Sequence, residues 1–139
     1  RDRVCAVSNK THYNEMNVLS MHALIGAYQP QGYEWLDELN QVLAGNIEYF
    51  CNYVDEHFEG VSYSRPQGTY MVFLDCTEWC REHGRDIQWL LDEGARVGVG
   101  YQDGRPFHGS CHIRVNLALP LSRVKEACDR LDRYVFNAR

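Results

Sequence analysis

Lysine is almost missing from this sequence. Of its 14 basic residues only Lys10 and Lys125 are lysines; the others are arginines. Chemistry that needs a side-chain amine, an imine with a carbonyl above all, therefore has two places to sit. A lysine becomes a nucleophile at neutral pH only when desolvated or set beside positive charge. Nothing local does this for Lys10, despite Ser8 and His12 nearby, so a surface lysine is expected. Long apolar runs are missing too. None approaches the ~20 residues that cross a bilayer, so no membrane partner is expected. Arg1 to Lys10 carries no signal-peptide pattern. A basic surplus is also lacking: 14 basic residues face 19 acidic ones, for a net charge of −5. Aromatic residues such as Tyr33, Trp35, Trp79 and Trp89 have no basic interleaving, so no nucleic-acid partner is expected.

The six cysteines, at 5, 51, 76, 80, 111 and 128, sit in a chain with 45% apolar residues and long helical patterns. Small disulfide scaffolds lack both, so reduced thiols and a cytoplasmic location are expected. Cys76, Cys80 and His83 look like a metal cluster, but no second pair stands at matching distance. Small buried thiols are the expectation, with no metal site.

What is present reads as one domain with one core, the usual outcome for 139 residues. Val4 to Asn17 has no clear period. Val18 to Tyr28 reads as a helix, and Pro30 and Gly32 as a break. From Tyr33 to His57, the residues Leu36, Leu39, Leu43, Ile47, Phe50 and Val54 recur at three and four positions, an apolar helical stripe with Gly60 as its stop. Val61 to Tyr63 suggests a short strand, and Thr69 to Asp75 a strand apolar on both faces, after a turn at Pro66-Gln67-Gly68. Asp86 is placed to cap a helix that Gly94 stops. Val97 and Val99 suggest another strand. The glycine-rich stretch from 98 to 110 reads as loop, which matches neither phosphate-loop fingerprint. A last helix capped by Ser122 carries Val124, Cys128, Leu131 and Val135 on one stripe. Short strands with helices on one face predict an α+β layer: a small antiparallel or mixed sheet covered on one side.

Cys111 to Leu117 carries the most chemistry. Alternation along a strand puts Ile113, Val115 and Leu117 on one face, and His112, Arg114 and Asn116 on the other. A polar face can simply be solvated. A guanidinium held mid-strand between apolar flanks also matches a carboxylate in bidentate fashion. Arg114, with Asn116 beside it, is therefore the candidate binding pair for a small carboxylate.

Three stretches together resemble one family. They are Tyr33-Glu34-Trp35-Leu36-Asp37-Glu38-Leu39 with Asn46 downstream, Pro66-Gln67-Gly68-Thr69-Tyr70 leading to Leu74-Asp75-Cys76, and His112-Ile113-Arg114-Val115-Asn116-Leu117-Ala118. The family is the fold-type-I pyridoxal-phosphate enzymes of aminotransferase class I/II, and the branch it most resembles is that of the cystathionine β-lyases, or C–S lyases. The resemblance runs from about Asn17 to Leu131. It implies that residues 1–139 form a carboxyl-terminal small domain, with 1–30 connecting it to a missing large domain. It implies that Arg114 holds the α-carboxylate of an amino-acid substrate. It implies pyridoxal phosphate as the parent enzyme's cofactor and a homodimer as its assembly. The family's imine-forming lysine lies upstream of every matched stretch. The role is not carried onto Lys10, because Val18 stands where the family has an arginine. The fragment is thus expected to hold no catalytic, cofactor-binding or metal-binding residue and to be inactive alone. His108 departs from the family pattern, which has glycine after the Phe107 position. The competing expectation is a free-standing α+β module that binds a ligand or a protein, or a dimer-contact piece.

Overall fold

The computed structural model of the chain describes residues 2–11 and 16–138, so His12 lies outside the described residues. Two compact units divide the chain, residues 1–40 and 41–139.

The first unit is helical. The unreadable opening forms α1, Asp2–Thr11. Next comes α2, Val18–Ala27, capped by Asn17, whose side chain accepts the Ser20 N–H at 2.9 Å. The expected break between the two helices is present, but at Tyr28 and Gln29, just ahead of Pro30, and Gly32 lies inside the next helix. Pro30 is the first residue of α3, Pro30–His57. At that position its missing N–H would have had no partner within the helix, and its fixed φ suits the first turn. No residue of α2 is buried.

The second unit contains the core. The stripe along α3 is buried only in this unit: Phe50 and Val54 are 1% exposed, whereas Leu36, in the first unit, is 44% exposed. The sheet has four strands, β1 (Ser62–Tyr63), β2 (Met71–Asp75), β3 (Gln102–Asp103) and β4 (His112–Asn116), in the order β1-β2-β4-β3. Every pairing is antiparallel, so of the two sheet types expected it is the antiparallel one. Val72, Leu74, Ile113 and Val115 point to one face and are buried, joining Phe50 and Val54 of α3 in one apolar cluster. The opposite face, with Phe73, Asp75, His112 and Arg114, is half-buried. Within this unit, and among the described residues, helices therefore cover one side only.

Three further helices complete the cluster. The short α4, Thr77–His83, brings Trp79 and Cys80 into it. Asp86 caps α5, Ile87–Arg96, as expected, accepting the Trp89 N–H at 2.8 Å. Gly94 does not stop α5; it is a buried residue inside it. A Cβ there would lie 2.5 Å from Tyr101 Oη, and that hydroxyl donates to the Leu90 carbonyl. Gly94 is thus a point of close approach rather than a stop. The expected strand at Val97 and Val99 is a turn, because Gly98 N–H and Val99 N–H are bound to the carbonyls of Ala95 and Gly94. The last helix, α6 (Leu121–Leu131), starts before Ser122. Pro120 holds the cap position, and its carbonyl accepts from the N–H groups of Arg123 and Val124. Val124, Cys128, Leu131 and Val135 are all buried, as their spacing predicts. Residues Asp132–Phe136 continue as a π-helical turn.

Candidate functional site

The uncovered face of the sheet is laid out by register. Arg114 on β4 stands opposite Phe73 of β2 on one side and Gln102 of β3 on the other. His112 stands opposite Asp75, and Asn116 opposite Met71. Directly opposed residues share a face, so Arg114 sits at the middle of a band that crosses three strands.

Two contacts fix the Arg114 guanidinium. Its Nε–H donates to Gln102 Oε1 at 2.8 Å. Its central carbon lies 4.0 Å from the centre of the Phe107 ring. A cation over an aromatic face is held by the ring quadrupole, worth roughly 0.5–2 kcal/mol. Among the described residues, no carboxylate pairs with Arg114 and no hydrogen bond occupies its terminal nitrogens. Three arginines elsewhere on this unit are already committed: Arg105 to Asp103 at 2.7 Å, and Arg123 and Arg130 both to Glu126. A fork with one edge tied and the other open suits a planar anion.

Beside it lies a histidine–carboxylate pair. His112 Nε2 is 3.7 Å from Asp75 Oδ2, and the His112 ring lies against Phe73 with centroids 4.7 Å apart. Burial pushes the Asp75 carboxyl up. The Thr77 hydroxyl at 2.5 Å, the Thr77 N–H at 2.9 Å and the nearby imidazole outweigh that and leave it below its ordinary value. Among the described residues, His112 Nδ1 is buried without a hydrogen-bond partner.

The stretch from 98 to 110 is not open loop. It supplies β3 and a 3-10 turn, Arg105–Phe107. The N–H groups of Gly104, Phe107, His108 and Gly109 are bound to carbonyls of His112, Gly104, Arg105 and Gly104. Those donors are spent within the protein, so the turn from Gly104 to Gly109 does not offer them to an anion. What it delivers is Phe107. A Cβ on Gly109 would come within 2.6 Å of Phe73 Cζ, so glycine there allows the turn to close onto the sheet.

Asn116, the second candidate, is placed differently. Its side chain is exposed and its Oδ1 accepts the Ala118 N–H at 2.8 Å, so that oxygen is occupied in shaping the turn after β4. It also borders a cleft of about 350 Å³ on the helix side, with Leu119, Arg123, Glu126 and Arg130. Arg114 does not line that cleft. The two arginines on its rim are neutralised in part by Glu126, whose carboxyl the hydrogen bond from Arg123 and the charge of Arg130 hold below its ordinary value.

The remaining candidates fall elsewhere. Cys76 and Cys80 are buried in the core, and the His83 ring stacks on Trp79 at 4.4 Å while its Nδ1 bonds to the Trp79 carbonyl at 2.9 Å. Lys10 is exposed on α1, and the Lys125 ammonium lies 5.2 Å over the Tyr49 ring. Among the described residues, no group of three or more ligating side chains is arranged to hold a metal, and no helix is long and apolar enough to cross a membrane.

Sequence reasoning did not find Gln102, Phe107 or Phe73 as partners of Arg114. They lie 12, 7 and 41 positions away along the chain, and only the β-pairing and the turn bring them together.

No protein-family model matches the chain. It is 35% identical over 124 residues to a Mycobacterium leprae protein named "Putative cystathionine beta-lyase", and 33% identical over 128 residues to proteins of the same name from Mycobacterium tuberculosis. Both matches take in 78% of this chain but 30% of the relative, so the chain spans under a third of the length of these proteins. Its fold superimposes on a PLP-bound C–S lyase from Staphylococcus hominis with a TM-score of 0.79 at 23% identity, covering 95% of this chain and 35% of that one.

Proposed function

We propose that this chain, which belongs to the fold-type-I pyridoxal-phosphate enzymes near their C–S lyase branch, supplies the α-carboxylate site of an enzyme acting on amino acids. One observation carries the reading: the Arg114 guanidinium is clamped by Gln102 and Phe107 and keeps an unpaired edge on the uncovered face of the sheet. A carboxylate received there would be bound by paired, charge-assisted hydrogen bonds and fixed in orientation. Fixing the carboxylate restricts rotation of the substrate, which is a positioning contribution to rate.

The chain's residues fit the substrate end of such a site and not the cofactor end. Pyridoxal phosphate gives enzymes of this family an electron sink. Neither lysine here is set to hold it: Lys10 is exposed, and Lys125 lies on the surface over Tyr49. This chain's share is therefore binding and orientation, for a lyase or an aminotransferase alike.

The test is Arg114→Ala in the full-length enzyme. Loss of a charge-assisted pair, about 1.5–3 kcal/mol, is expected to raise KM for amino acids by about 10- to 100-fold. Unchanged KM would sink the assignment.

A further inference from the structure

Among the described residues one polar side chain is buried in the core, Asn46 of α3, at 1% exposure. A buried amide is costly unless hydrogen-bonded. Asn46 Nδ2 donates twice, to the Leu117 carbonyl at 2.9 Å and to the Leu119 carbonyl at 2.8 Å. Both acceptors belong to the turn that follows β4, and Leu117 is three residues beyond Arg114.

Backbone pairing at that end of β4 is one-sided, although the Leu117 side chain is buried in the core. On one side β3 reaches only Ile113 and Arg114; on the other β2 pairs as far as Asn116. Past Asn116, the Leu117 N–H reaches the Tyr70 carbonyl at 2.9 Å and the Ala118 N–H reaches the Asn116 side chain. The carbonyls are left to Asn46. One amide on α3 therefore closes the strand from the helix side while Arg114 projects from its opposite face.

We propose that Asn46 is a positioning residue for Arg114: by pinning the Leu117 and Leu119 carbonyls to α3 it fixes the height and direction at which the guanidinium meets a carboxylate. This rests on the carboxylate-binding reading of Arg114. A guanidinium moved by a fraction of an ångström still carries its charge but loses the paired geometry that makes a fork selective.

The experiment uses the full-length enzyme loaded with its cofactor, and titration calorimetry with two probes: L-alanine, and ethylamine, which is the same molecule without its carboxylate. Asn46→Ala, Arg114→Ala and the double variant are compared with wild type. Asn46→Ala is expected to weaken L-alanine by about 5- to 20-fold and to leave ethylamine within about twofold, with no further loss once Arg114 is alanine, since residues acting through one another are non-additive. An equal loss for both probes, an undiminished loss in the Arg114→Ala background, or no loss at all would overturn the positioning role and leave Arg114 as assigned. Wild-type L-alanine affinity in Arg114→Ala would overturn the carboxylate reading and this role with it. Should Asn46→Ala not fold, Asn46→Ser keeps one donor and is read by the same outcomes, with a smaller expected loss.

Discussion

Arg114 and Phe107 meet as a cation on an aromatic face, 4.0 Å from guanidinium carbon to ring centre, although one projects from a strand and the other from a turn. The ring covers one broad side of the guanidinium and Gln102 takes its Nε edge. Little rotamer freedom would be left to lose on binding the proposed carboxylate, which is how preorganisation raises affinity.

The shape of that group, and not only its charge, is therefore predicted to matter. Arg114→Lys keeps the charge but has no planar fork and stacks poorly. In the full-length enzyme it is expected to raise KM for amino acids by about tenfold, with kcat less affected. Steady-state kinetics check this, and a lysine variant equal to wild type would show that charge alone suffices.

His108 holds φ +65°, the left-handed region. A residue with a Cβ is disfavoured there by about 1–2 kcal/mol, and glycine is not. His108→Gly is predicted to stabilise the protein by about 1 kcal/mol after glycine's own entropy is set against the gain. Urea unfolding measures it; an unchanged or lower midpoint would show that the His108 side chain makes up the difference.

The buried thiols are predicted to be slow. Burial pushes Cys80 and Cys128 each up to about 12, and raises Cys51 and Cys76 as well. The thiolate is the reactive form, so these four are protected twice, by proton and by access. Native protein at pH 8 is expected to alkylate at exposed Cys5 first, and at those four only in denaturant, as mass mapping of the labelled peptides will show. Because their folded-state values are raised, the stability they contribute is complete below the ordinary thiol value of 9.0 and is lost as pH rises towards about 12.

Asp75 works in the opposite direction. Its folded-state value lies below the ordinary 3.8, so the stability it contributes is present above that value and lost as pH falls through the depressed one. Asp75→Asn is predicted to flatten the loss of stability on the acid side while costing some at neutral pH, where the Thr77 contacts weaken. Urea midpoints at several pH values between neutrality and strong acid give the comparison. Parallel curves for the two proteins would remove Asp75 from the acid response.

Much of the site's frame was legible because it is local. Alternation from Cys111 to Leu117 places Arg114 on the uncovered face, and the structure agrees. Asp86 caps α5, and the stripe from Val124 to Val135 is buried, since caps and stripes are properties of neighbouring residues. The misreadings share a different cause. Gly94 looked like a stop, but Tyr101, seven residues on, requires it. Pro30 rightly marked the break between two helices, but the second helix opens at Pro30 rather than at Tyr33, since a proline suits the first helical turn. α1 gave no clear period, and α4 was hidden among residues that looked like metal ligands. The clamp on Arg114 was out of reach altogether. Gln102 and Phe107 are unremarkable in sequence and acquire their role only once β3 pairs with β4 and the turn folds back.

The outer strands β1 and β3 are two residues long. An incoming strand from another molecule would find at each margin only a few backbone groups to bond with, too few to fix a register. Growth of the sheet from chain to chain is thereby discouraged at both margins. Association through this unit is left to side chains, which select their partners where a bare backbone accepts any.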